Sequence, residues 1–135
     1  KRKKKQKKPY PTFTHNGKQK GRVCKMHMNV YQAQASRTIN RKYGRSGIEQ
    51  HALHLLSAEV GELHGIFQKT YQGHMATEEH IKKELGDILW GIAEFCTANG
   101  WELEEIARMN INKLKARYPE GFCPENSLHR KEGDI

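Results

Sequence analysis

The chain has 135 residues, 36% of them hydrophobic and 29% charged, which suits one domain and leaves little room for two. A mean hydropathy of -0.91 requires any core to be concentrated in part of the chain. No apolar run approaches the roughly 18 residues of a membrane span. The net charge of +9 is uneven: residues 1–25 hold eleven Lys/Arg and no Asp/Glu, so the other residues hold 13 basic and all 15 acidic side chains.

Three cysteines (Cys24, Cys96, Cys123) lie far apart and form no C-x-x-C pair. A disulfide scaffold and a structural zinc site are both disfavoured, and a reducing, cytoplasmic setting fits. The basic start leads into Pro, Thr, His and Asn rather than an apolar stretch, unlike a secretory signal.

In chain order, residues 1–27 form a basic extension with few large apolar side chains. It cannot bury enough surface to offset the entropy of ordering, so disorder is expected there. A solvated extension is the simpler reading. A polyelectrolyte arm making weak nucleic-acid contacts through residues 1–25, or a nuclear-localisation signal, is the sharper one. From Met28 the apolar spacing becomes helical. It predicts helices over 29–40, 48–70, 77–98 and 102–117, with 41–47 as a basic link, Thr77 as an N-cap and Asn99-Gly100 as a stop. Residues 123–135 form a polar tail. No segment alternates with period two, so the expected fold is all-α and four-helix bundle-like.

On the second helix Leu53, Leu56, Val60, Leu63 and Phe67 form an apolar stripe, widened by Ala52, Leu55 and Ile66. Glu59 falls inside that widened half and Glu62 at its margin. A carboxylate there is costly unless something compensates it; a wet edge with Glu62 paired to Lys69 is the alternative. The third helix carries Glu84 and Asp87 beside Ile81, Leu85, Ile88, Leu89, Ile92, Phe95 and Cys96. Gly73 stands midway between Glu62 and Glu84, and also between Glu59 and Asp87. An antiparallel hairpin about that turn therefore brings Glu62 level with Glu84 and Glu59 level with Asp87. Four convergent carboxylates repel one another, and a divalent cation resolves the repulsion. Mg²⁺ suits oxygen ligands and retains waters, and Mn²⁺ is the other metal expected to serve. The absence of accompanying Cys or paired inward His argues against zinc.

On the fourth helix Asn110 and Arg117 lie within an apolar stripe, with Lys113 at its edge. Long cations there either snorkel to water or contact a polyanion; the short amide of Asn110 cannot snorkel. Lys69, two turns beyond Glu62, is a further phosphate candidate. Trp90, one turn beyond Asp87, either packs or stacks on a base. The histidines, His51 and His80 among them, scatter over exposed faces or the turn, and none forms an H-E-x-x-H.

Glu59-Val-Gly-Glu62, followed after twenty-one residues by Glu84-Leu-Gly-Asp87, resembles the E-x-x-E … E-x-x-D signature of the MazG-like all-α nucleoside triphosphate pyrophosphohydrolases. Tyr31-Gln32, the Leu85–Trp90 block and the stretch from Asn110 through Lys113 and Arg117 to Phe122 extend the resemblance over residues 28–122. The closing Arg-Tyr-Pro-x-Gly-Phe is similar to compact, single-domain members of phages and mobile elements.

The resemblance implies Mg²⁺-dependent hydrolysis of an NTP or dNTP to the monophosphate and pyrophosphate, in nucleotide-pool cleaning. Glu59, Glu62, Glu84 and Asp87 would be catalytic metal ligands, one serving partly as a base on water. Lys69, Asn110, Lys113 and Arg117 would contact phosphate. It also implies a homodimer or tetramer with pockets lined by neighbouring subunits. The alternatives are a non-enzymatic helical module that binds nucleic acid through its tail, and a related hydrolase of a deoxypyrimidine triphosphate or an alarmone.

Overall fold

The computed structural model describes residues 26–129. The expectations for residues 1–25 and 130–135 lie outside the described residues. Among those described the chain is all-α, without a strand: α1 (Met28–Ala35), α2 (Gly44–Tyr71), α3 (Glu78–Asn99), α4 (Leu103–Arg117) and α5 (Pro124–Leu128).

The first helix is shorter than its periodicity suggests. Ser36 Oγ donates to the Ala33 carbonyl (2.9 Å) and Thr38 Oγ1 to that of Ala35 (2.7 Å). Side-chain hydroxyls competing for helix carbonyls disfavour a further α-turn, and residues 36–38 tighten into a 3₁₀ turn. A second 3₁₀ turn, Arg41–Tyr43, is capped by Asn40 Oδ1, which accepts from the Lys42 amide (3.2 Å). Helix α2 then starts at Gly44, earlier than expected, with φ at +65°, a conformation that favours glycine. Arg45 anchors this added turn, donating to Glu49 Oε1 (2.9 Å) and to Asn99 Oδ1 on α3 (2.6 Å). That tertiary bond offsets the roughly 1 kcal/mol that each helical glycine costs relative to alanine.

Helix α3 begins and ends as its sequence indicates. Thr77 Oγ1 accepts from the His80 amide (3.2 Å), and Gly100 closes the helix at φ +70°. Glu78 and Glu79 stand in the positive first turn, paired with Lys82 and Lys83 four residues on. The short α5, which periodicity does not reveal, starts with Pro124 and is tied back by Asn126 Nδ2 donating to the Arg117 carbonyl (2.9 Å).

The tightest packing is the antiparallel α2–α3 hairpin. Ala52 is fully buried between the helices, and Gly91 removes a side chain where Leu55 and Leu56 press against α3. A second cluster joins Ala93, Cys96 and Leu103, with Met28, Tyr31, Ala35, Leu89 and Ile106 packed on it. Through that cluster α1 and the start of α4 are laid on α3. Helix α1 has no fully buried residue and α4 has one, Leu103.

The N-terminus of α4 is capped by α1 rather than by its own Glu102. Gln32 Oε1 accepts from the Leu103 amide (2.8 Å), and Asn29 Oδ1 from the Glu104 amide (3.0 Å). Gln32 Nε2 also donates to the Trp101 carbonyl (2.8 Å) and Thr97 Oγ1 (3.2 Å). One side chain thus satisfies an orphan helix donor and holds the α3–α4 corner. Gln32→Ala should cost about 1–2 kcal/mol, as lost caps do. Thermal unfolding checks this, and an unchanged Tm would refute the clamp.

The hairpin has two unlike sides. Helical rotation puts Leu53, Val60 and Phe67 of α2 on the same side as Leu85 and Ile92 of α3, and all five are exposed. The opposite side carries Glu62 and His51 of α2 and Asp87 and Glu94 of α3.

Candidate metal centre

On the polar side the carboxylates of Glu59, Glu84 and Asp87 converge: each offers an oxygen within 4.8 Å of the others. Glu59 comes from the middle of α2, while Glu84 and Asp87 stand one turn apart on α3. Glu84 is buried, Glu59 half-buried and Asp87 exposed. The trio is therefore open to solvent on the Asp87 side and closed on the Glu84 side. Glu62 lies outside this trio, exposed on the flank of α2, because three residues rotate a side chain some 60° short of a full turn. It nevertheless acts electrostatically on Glu59.

Burial, first, and then the charges of Glu62, Asp87 and Glu84 raise the Glu59 pKa above its ordinary value. The folded protein thus holds the Glu59 proton more tightly than the unfolded chain does. This group's contribution to stability is complete below the ordinary carboxylate range and is lost as pH rises through the raised value. In chelator, Glu59→Gln should therefore equal wild type in Tm at acid pH and overtake it towards neutrality. A melting series across pH tests the sign; a gap that widens in the opposite direction would refute it.

His80, four residues before Glu84, places Nε2 3.0 Å from Glu84 Oε1. It holds the buried carboxylate in one orientation, a role metal-site neighbours commonly play. Tyr31 of α1 comes within electrostatic reach of Asp87. Burial, with that charge second, pushes its phenol pKa up, so the hydroxyl remains a neutral donor. Three oxygen donors without sulfur or imidazole form a set for a hard cation such as Mg²⁺ or Mn²⁺.

The other expected residues are not part of the trio. Lys69 is exposed near the end of α2, on the flank that carries Glu62. Asn110 and Lys113 are exposed and Arg117 is half-buried, all on the C-terminal half of α4. Trp90 is half-buried and donates from Nε1 to Thr38 Oγ1 (3.0 Å), which fixes the indole against the α1–α2 connection. The trio itself is built by α2 and α3 alone.

Two histidines do more than the exposed faces assigned to them suggest. His80 grips Glu84, and His51 places Nδ1 2.9 Å from Oε2 of Glu94, a carboxylate only 3% exposed. The i,i+4 spacing of His80 and Glu84 carries the first in the sequence. The position of Glu94 seven residues after Asp87, on the same face, carries the second.

A family model described as MazG nucleotide pyrophosphohydrolase domain matches residues 48–122, just over half of the chain. The match contains α2 from Ile48 onward, α3, α4 and all three converging acids. No curated protein and no solved structure matches the chain.

Proposed function

The chain belongs to the MazG nucleotide pyrophosphohydrolase family, and on that premise we propose that it converts an NTP or dNTP to the monophosphate and pyrophosphate with Mg²⁺. The observation that carries this reading is the convergence of Glu59, Glu84 and Asp87 beside solvent. These three would hold the cation; Mg²⁺, when bound, supplies charge neutralisation to the phosphates. Glu84, oriented by His80, forms the floor, while Asp87 and Glu59 face the substrate.

Glu62, exposed beside the trio, is placed to accept the proton of an attacking water. The water oxygen bonds to the α-phosphorus, the bond from that phosphorus to the bridging oxygen breaks, and pyrophosphate leaves. Lys69, Asn110, Lys113 and Arg117 are proposed phosphate contacts, and the reaction is assigned to nucleotide-pool cleaning in the cytoplasm. Among the described residues no helix is long and apolar enough to cross a membrane.

The exposed side of Leu53, Val60, Phe67, Leu85 and Ile92 supports a homodimer or tetramer. A contiguous apolar patch on a helix pair marks a contact surface. The alternative of weak, salt-sensitive nucleic-acid contact through the eleven basic residues among the first twenty-five stands beside the simpler reading of a solvated extension.

Incubation of the full chain with a panel of NTPs and dNTPs in Mg²⁺, followed by product identification, tests the main reading. Monophosphate and pyrophosphate are expected. Diphosphate and orthophosphate would overturn the regiochemistry, and no turnover of any nucleotide would overturn the activity. The same panel, extended to alarmones, separates a housekeeping substrate from a signalling one.

A further inference from the structure

Two helical turns beyond Asp87, on the same line of α3, Glu94 is almost completely buried, and no step of the proposed hydrolysis uses it. Its partner is His51 of α2, whose side chain is 46% exposed. A carboxylate accepts, so the ring donates from Nδ1, and in the neutral ring Nε2 carries the free lone pair. Nε2 has no partner among the described residues. A buried acid whose one visible effect is to orient a half-exposed imidazole is an arrangement for presenting that imidazole to something else.

The ground between this pair and the acid trio has a definite character. Seven residues separate Asp87 from Glu94, a rise of about 10 Å with almost no net rotation. Leu55 lies between the two levels on α2, and Gly91 between them on α3, with a methyl of Leu55 3.5 Å from where a Gly91 β-carbon would stand. Trp90, held to Thr38, stands on the α1 side of the same stretch. Acids at one end, Leu55 and Trp90 in the middle, and an oriented imidazole at the other end give this stretch of the hairpin a mixed chemistry. A nucleoside attached to phosphates at the trio has the length and amphipathic character to span it.

We propose that His51, oriented by Glu94, is the residue that reads the nucleoside end of the substrate, with Nε2 hydrogen-bonding to a sugar hydroxyl or a polar group of the base. This inference rests on the site proposed above, and it makes His51 a substrate contact and Glu94 a positioning residue.

The test compares binding and turnover of full nucleotides with binding of inorganic triphosphate, which carries the phosphates and no nucleoside. In His51→Asn the amide nitrogen replaces Nδ1 and keeps Glu94 satisfied, but nothing replaces Nε2. In His51→Gln the amide oxygen falls near the Nε2 position. His51→Asn should weaken nucleotide binding about five- to tenfold, the size of one lost hydrogen bond. It should raise KM with kcat nearly unchanged and leave the affinity for inorganic triphosphate at the wild-type value. His51→Gln should recover part of the loss, and Glu94→Gln, which loosens the ring, should fall between wild type and His51→Asn.

Comparing dideoxynucleotides with deoxynucleotides assigns the contact: if the gap between wild type and His51→Asn closes for the dideoxy series, the 3′-hydroxyl is read. Equal weakening of nucleotide and inorganic triphosphate, or no weakening of either, would overturn the proposal. Binding is measured by calorimetry in Ca²⁺ as well as by turnover. A protein that binds nucleotides through His51 yet never hydrolyses them would sink the proposed activity and leave this inference standing.

Discussion

Asp87→Asn and Glu59→Gln should each reduce pyrophosphate release by more than about 100-fold while leaving the helices folded. Each change removes one negative charge from a trio whose oxygens lie within 4.8 Å of one another, and charge is what the cation needs from the trio. Loss of an outer neighbour of a metal site already costs about 10–100-fold, so loss of a ligand should exceed that. The apo fold should not suffer, because in Glu59→Gln the repulsion that raises the Glu59 pKa is relieved. A ligand at a hundredfold excess over its Kd stabilises the native state by about 2.7 kcal/mol. Wild type should therefore melt several degrees higher in saturating Mg²⁺ than in chelator, and the two variants should lose most of that increment. Activity retained alongside a lost Mg²⁺ shift, or the reverse, would separate the trio from the chemistry and refute the site.

The second large effect is expected at Gly91, which contributes no functional side chain of its own. A β-carbon there would stand 2.9 Å from Leu56 Cγ and 3.0 Å from Cδ2. An alanine asks the end of one leucine to swing. A valine adds two methyl groups that α2 must retreat from, which typically costs about 1–3 kcal/mol. Gly91 is one turn from Asp87, so a retreat of α2 there carries Glu59 away from its partners. A displacement near 1 Å can cost about 100-fold in rate. Gly91→Val should accordingly lower Tm by several degrees and cut turnover strongly even well below the melting range, with Gly91→Ala milder on both counts. Full activity in a destabilised Gly91→Val protein would show that the helix spacing does not set the acid geometry.

Much of the centre is legible in the sequence because helices convert spacing into position. Equal distances from Gly73 suffice to bring Glu59 level with Asp87, and the structure joins them with Glu84. The same counting places Glu62 beside Glu84 but says nothing of reach, and rotation leaves Glu62 on the flank. Helix ends set by backbone competition were less visible. The hydroxyls of Ser36 and Thr38 turn the chain off the helix that apolar spacing extends through them. Five residues of α5 are too few to show a period. The pairing of His51 with Glu94 is missed for another reason: a histidine looks like surface until its buried partner on the neighbouring helix is known.

The capping of α4 by α1 joins two segments that are far apart in the chain and lightly seated on the rest. Because Asn29 and Gln32 supply what the α4 amides lack, neither helix can detach without leaving polar groups of the other unmet. The two should thus open together as one cooperative unit, exchanging amide protons at a common rate faster than that of the hairpin. Tyr31, within electrostatic reach of Asp87, belongs to that unit, so its opening should uncover the Asp87 side of the acid trio while the α2–α3 hairpin that builds the trio stays closed.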